Sequence, residues 1–469
     1  MKRLSSALFL SLIFALTAFA QGQAKYVFYF IGDGMGADQV NGTEMYLAEK
    51  EGRIGVKPLL FTQFPVASVA NTYSKTNSIT DSSAAGTALA TGVKTFNGAI
   101  GVNKDKEKVL SVAARAKQAG KKVGVLTSVS VDHATPAAFF AHQVDRNMYY
   151  EIATDLPKSG FDFYGGAGFL RPDKNAEDEE VTSIYTLFSK KGHKLYRGLD
   201  AYSKSKRGQK VILIQDEGKS SHALPYAIDR KSGDLKLKDL TAKAIEHLSA
   251  KNNDGFFMMV EGGKIDWACH DNDAATVFNE VIDMDEAIAE AYEFYKKHPD
   301  ETLIVVTADH ETGGMALGLV SGYDLNLKAL SHQKISAGEL SNKINELRKE
   351  KNNNVSWEEV KALLTEYMGF WSELKLNWKQ ERKLRDAFEE SFIANKKSFE
   401  ESMYTKSEPL AARAKEVMNE IAGIGWTTKS HSANFVPVFA IGAGSELFNA
   451  RLNNIDIPRN IAKAAGYTW

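Results

Sequence analysis

The chain has 469 residues, of which 43% are hydrophobic and 25% charged, and its formal net charge is −1. Those values fit a large globular protein and exclude disordered, collagen-like and coiled-coil chains. The near-neutral charge offers no field that would recruit nucleic acid, and the single cysteine, Cys269, excludes an intrachain disulfide.

Residues 1–20 begin with Lys2 and Arg3, run through the apolar stretch Leu8–Leu16 and end in Ala18-Phe19-Ala20. This is the pattern of a secretory signal peptide cleaved after Ala20. A membrane anchor would need about 20 apolar residues, and polar Gln21-Gly22-Gln23 follows at once. The mature protein, 21–469, is expected to be exported to a periplasm and to lack a membrane span.

Five short apolar runs predict buried strands: Tyr26–Ile31, Val123–Leu126, Phe256–Val260, Leu303–Thr307 and Val436–Ile441. Helical patterns lie between them, as in Val109–Ala119 and Ala274–Tyr295. The alternation predicts an α/β fold with helices on both faces of a sheet. In such folds ligands bind beyond the carboxyl ends of the strands. Asp33, Glu261 and Asp309 all fall at such ends. Residues 325–422 differ, with Lys and Glu at helical spacing over Ser341–Lys351 and Trp357–Tyr367. They read as a helical insertion, with Phe370, Trp371 and Trp378 in its core.

Six motifs carry chemistry. Gly32-Asp33-Gly34-Met35-Gly36 does not have dinucleotide spacing, and Asp33 would repel a pyrophosphate; it is placed instead to bridge cations. In Ile79–Thr87, Ser82 falls on the first turn of a predicted helix, where free N–H groups favour an anion. That serine can bind phosphate or attack it; the plain structural alternative is a helix cap. Thr135, in Asp132-His133-Ala134-Thr135-Pro136, offers a hard oxygen, and Arg146 a two-pronged phosphate clamp. Asp266 and His270 share one helix face and suit zinc, Glu261 suits a harder ion nearby, and Cys269 points away as packing. Asp309-His310 offers carboxylate and imidazole to one metal. His431, just before the last strand, could complete a metal site.

In order and wording these motifs resemble the alkaline phosphatases, from about Lys25 to Val320 and again from about Gly425. The resemblance implies a large, mixed and mostly parallel sheet between helix layers, and hydrolysis of phosphate monoesters at alkaline pH through a covalent phosphoserine. It gives Ser82 the role of nucleophile beside the metals. It places one zinc on Asp266, His270 and His431, and a second on Asp33, Asp309 and His310. Asp33 would also bridge to a magnesium that takes Thr135 and Glu261, and Arg146 would clamp the phosphate oxygens. A homodimer is usual. His133 and Trp267 depart from the best-known bacterial members, which carry Asp and Lys there. Imidazole at His133 leaves the third site open to another divalent ion, and Trp267 is a possible substrate contact. The insertion, lying between His310 and His431, is placed to roof the site or to form the dimer contact. Sulfatases are excluded because Ser82 lacks their C/S-x-P-x-R context. A phosphodiesterase would lack the Thr135–Glu261 pair, and a non-catalytic binding protein would lack a ligand or the nucleophile.

Overall fold

The computed structural model describes residues 23–206, 208–319, 323–396, 400–401 and 406–469. Residues 1–20, expected to be a signal peptide, lie outside them. Among the described residues no helix is long and apolar enough to cross a membrane.

Ten strands form one sheet: β1 Tyr26–Gly32, β2 Val66–Asn71, β3 Lys122–Thr127, β4 Phe163–Gly166, β5 His193–Arg197, β6 Lys210–Ile214, β7 Phe256–Gly262, β8 Thr302–Thr307, β9 Val436–Gly442 and β10 Leu452–Asn453. Their spatial order is β10-β2-β9-β8-β1-β7-β3-β4-β6-β5. Only β9 is antiparallel to its neighbours, β2 and β8; every other pair is parallel. This is the large, mixed and mostly parallel sheet expected. Central β1 is buried at every position, as a strand covered on both faces must be.

All five predicted strands are present. Five more were not recognised. β2 buries and exposes its residues in turn, β4 carries two glycines, β5 is a half-exposed edge strand, and β10 has two residues. β6, Lys-Val-Ile-Leu-Ile, carries the same signal as the recognised runs.

The helices that matter for the site are α1 Ser82–Thr91, α2 Val112–Gln118, α3 Lys264–His270 and α4 Ala274–Lys297. Helix α2 starts later than the predicted Val109 because Ser111 caps it, accepting from Ala114 N. The 325–422 segment is mainly helical, with α5 Ala337–Glu350, α6 Trp357–Met368, α7 Trp378–Phe388 and α8 Pro409–Ala422, plus a two-residue antiparallel ladder of Glu400–Glu401 with Lys406–Ser407. Phe370 is fully buried and Trp371 packs against the core. Trp378 is 69% exposed, so its expected core placement is corrected: it occupies the first position of α7, on the outer side of the segment's packing.

The strand register sets the site. Ile31 of β1 pairs with Glu261 and Thr307, and Glu261 pairs with Thr127, so four carboxyl-terminal strand ends align at one level. Because β9 runs the other way, its amino-terminal end reaches that edge too, with Val438 beside Thr307. His431, five residues before β9, therefore joins residues that follow β1, β7 and β8.

Candidate active site

Ser82 is the first residue of α1, and Asp81 caps the helix by accepting from Ala84 N at 2.9 Å. Ser82 thus stands where unpaired N–H groups and the helix dipole favour an anion. It is fully buried, and its Oγ lies 3.2 Å from His310 Nε2. The other oxygen of Asp81 is 3.5 Å from Arg146 Nη1, so the capping carboxylate also holds the guanidinium. Arg146 Nη2 is 3.4 Å from His133 Nε2.

Three donor clusters converge around this point, each with one ligand atom per residue within 4.8 Å of the others: Asp266, His270 and His431; Asp33, Asp266 and His310; and Asp33, His133 and Glu261. The first is the set expected from the sequence. In the second, Asp266 joins Asp33 and His310, while Asp309 approaches His310 Nε2 at 3.4 Å through Oδ2. Its Oδ1 accepts from Gly34 N and His310 N. In the third, His133 reaches Asp33 and Glu261. Thr135 Oγ1 is 3.4 Å from Asp309 Oδ2, on the same side. Gly34, at φ +72°, lets the chain fold tightly over Asp266, whose Cα would lie 2.9 Å from an added Cβ.

The donor chemistry fits divalent cations. His270 Nδ1 donates to Lys429 O at 2.5 Å and His431 Nδ1 to Thr80 O at 2.8 Å. Those bonds turn both Nε2 lone pairs inward, where they face each other at 3.2 Å. Two lone pairs that close repel unless a cation or a proton stands between them. Asp266 adds an oxygen 3.3 Å from His270 Nε2, giving an N/O set suited to zinc. Both Asp33 oxygens and Glu261 Oε1 are buried without a hydrogen-bond partner in the protein, as oxygens kept for a metal would be.

Electrostatics agree. Burial, reinforced by the neighbouring carboxylates, pushes Asp33 well above the usual carboxylate range. Burial pushes Glu261 to about 8 and, with the Asp266 charge, Asp309 to about 7. Burial pulls His133 down to about 3, with Arg146 adding to the shift. Carboxylates so crowded ionise together only when cations neutralise them.

All the expected site residues meet at one end of the sheet. Trp267 is half-buried at the rim, its ring 6.0 Å from that of His133. Cys269 is buried, as expected, with Gln39 Nε2 3.8 Å from its sulfur. Sequence reasoning passed over three partners. Thr312 Oγ1 touches Asp266 Oδ1 at 2.5 Å and His310 Nδ1 at 3.2 Å. Thr127 donates to Glu261 Oε2. Asp81 holds Arg146. Asp81 could have been found from its place just before Ser82, and Thr312 from lying two residues after His310; nothing local marks Thr127.

A family profile described as alkaline phosphatase matches residues 24–166 and 219–467. The match runs through 325–422 and breaks at 167–218, which corrects the break expected at the helical segment. Alkaline phosphatase 4 of Bacillus subtilis (strain 168) is 35% identical over 387 residues, covering 81% of this chain and 75% of the relative. A cold-active alkaline phosphatase from a psychrophilic Shewanella sp. superposes with a TM-score of 0.77 at 28% identity, covering 94% of this chain and 99% of that one. The TAB5 alkaline phosphatase, as a mutant with a histidine replaced by glutamate and Mg bound in its M3 site, gives a TM-score of 0.65 at 25% identity, covering 96% of this chain and 100% of that one. The chain belongs to the alkaline phosphatase family, and its reaction is the metal-dependent hydrolysis of phosphate monoesters.

Proposed function

We propose that this hydrolysis proceeds by two in-line displacements through a phosphoserine at Ser82. The observation that carries the reading is the buried Ser82 Oγ on the first turn of α1, 3.2 Å from His310 Nε2. Ser82 Oγ attacks phosphorus and the ester P–O bond breaks, releasing the alcohol. Water then attacks the phosphoserine from the vacated side and returns the serine hydroxyl, so phosphorus keeps its configuration. Arg146, steadied by Asp81, clamps two of the three non-bridging oxygens of the phosphoryl group with its planar fork. The phosphoryl group passes through a loose transition state, so holding it in line matters more than covalent chemistry from the protein.

Two zinc ions, one on Asp266, His270 and His431 and one on Asp33, Asp309 and His310, with a magnesium on Asp33, Thr135 and Glu261 beside His133, would neutralise charge developing on the entering and leaving oxygens. The TAB5 variant with glutamate in place of a histidine has Mg bound in its M3 site, which supports a third ion here. With imidazole present, another divalent ion can take that place.

Residues 1–20 are assigned as a cleaved export signal and 21–469 as one catalytic domain that includes 325–422. The assignment rests on the basic start, the short apolar stretch and the small-residue end. A periplasmic homodimer working at alkaline pH completes the reading.

The test is direct. Turnover of a radiolabelled monoester, stopped with acid and followed by peptide mapping, is expected to place label on Ser82. Label on another residue, or none during rapid turnover, overturns the phosphoserine.

A further inference from the structure

A cavity of about 500 Å³ is walled in part by Trp267, at the rim of the site. Leu224, Tyr226, Lys264 and Trp267 line it on the core side, and Gly338 and Asn342 of α5 line it on the other. Trp267 is the wall it shares with the reaction site, because its ring also meets that of His133, which touches Arg146. We propose that this cavity receives the leaving group of the ester and selects monoesters whose alcohol carries an aromatic or heteroaromatic ring over those of small alkyl alcohols. The inference rests on the phosphomonoesterase reading above and names the substrate class of that site.

Two features argue for a ring. The Lys264 ammonium sits on one face of Tyr226, 3.1 Å from its centroid, and lies 5.6 Å from the centroid of Trp267, so a cation and the half-buried indole face line the same space. Planar groups stack on such faces and meet such a cation favourably. The volume falls within the range of about 300–1,000 Å³ typical of small-molecule sites, whereas an ethyl group would leave most of it to water.

The α5 wall is held rigidly. Asp229 accepts from Ser336 N at 2.7 Å and from Ser336 Oγ at 2.6 Å, and Asp273 accepts from Ala337 N at 2.8 Å. Two carboxylates of the core thus pin the start of α5, and through it the 325–422 segment closes the leaving-group side of the site.

The test fills the cavity from that wall. At Gly338 an added Cβ would meet only Ser336 Oγ, at 3.6 Å, so the side chain of Gly338→Trp starts without a clash and its indole would take up the cavity. Asn342→Trp, at an exposed position, is the second variant should the first fold poorly. The metal-replete enzyme is assayed with naphthylmethyl phosphate and ethyl phosphate, esters of alcohols of similar acidity, and inhibited with the non-hydrolysable naphthylmethylphosphonate and methylphosphonate. The wild type is expected to favour the naphthyl member of each pair. Either variant is expected to lose about tenfold in kcat/KM and in inhibition on the naphthyl side only. No wild-type preference, or an equal loss on both sides in both variants, overturns the subsite. Label trapped on Ser82 is read in the same proteins. Its absence with the naphthyl preference intact would fault the phosphoserine alone, and its presence without the preference would fault the subsite alone.

Discussion

Ser82 Oγ and His310 Nε2 lie 3.2 Å apart although 228 residues separate them in the chain. Ser82 arrives on the first turn of α1, and His310 on the turn that leaves β8. Both elements end at the same edge of the sheet, so the distance is set by strand register rather than by any local motif. It puts a hydroxyl within reach of an imidazole from one of the candidate metal clusters.

Replacing Ser82 with alanine is expected to lower turnover by at least about 10³-fold, as loss of a nucleophile does. Metal content should stay near wild type, because the carboxylates and imidazoles remain. Steady-state assay with elemental analysis checks both, and a Ser82→Ala enzyme of unchanged turnover would remove Ser82 from the mechanism.

Asp81 both caps α1 and restrains Arg146, and two substitutions separate these roles. Asp81→Asn keeps the cap to Ala84 N but removes the charge facing Arg146 and the acceptor for Gly98 N, so inhibition by inorganic phosphate should weaken several-fold with a modest loss of stability. Asp81→Ala loses the cap as well and should cost about 1 kcal/mol more in urea unfolding. Equal stability in the two variants would mean that the bond from Ala84 N carries no weight.

Chelation is expected to abolish activity and lower the melting temperature, and zinc to restore both. Bound cations would relieve both the opposed Nε2 atoms of His270 and His431 and the Asp33 oxygens that have no hydrogen-bond partner. Ligand present at 100 to 1,000 times its Kd contributes about 3–4 kcal/mol to the folded state. A rigorously metal-free protein with full activity and an unshifted melting temperature would contradict this.

His133→Asp is expected to raise magnesium content and magnesium activation. It adds a hard oxygen to the cluster of Asp33 and Glu261, where an imidazole now stands. Magnesium titration of metal-depleted protein measures it, and an unchanged titration would place His133 outside the third site.

Arg348→Ala probes the attachment of the helical segment. Arg348 Nη2 meets Glu408 Oε1 at 2.9 Å, both buried, and Arg348 also donates to Ser391. Leaving Glu408 buried without its cation should cost about 3–5 kcal/mol in urea unfolding. A loss below about 1 kcal/mol would show that the pair does not hold α5 to α8.

The chemical inventory can be read from the residues alone: the nucleophile candidate, the ligand types, the five strands with continuous apolar runs, and Asp266 and His270 on one helix face. These are legible because each depends on neighbours within a few residues. The folded chain adds that Asp266 belongs to two donor clusters, that Asp81 restrains Arg146, that Thr312 and Thr127 support the carboxylates, and that α5 walls a cavity against Trp267. It also settled the outward place of Trp378. The physical reason is that sheet order, the reversed β9 and parallel register set which distant residues meet, whereas hydrophobic periodicity reports only which face of an element is buried.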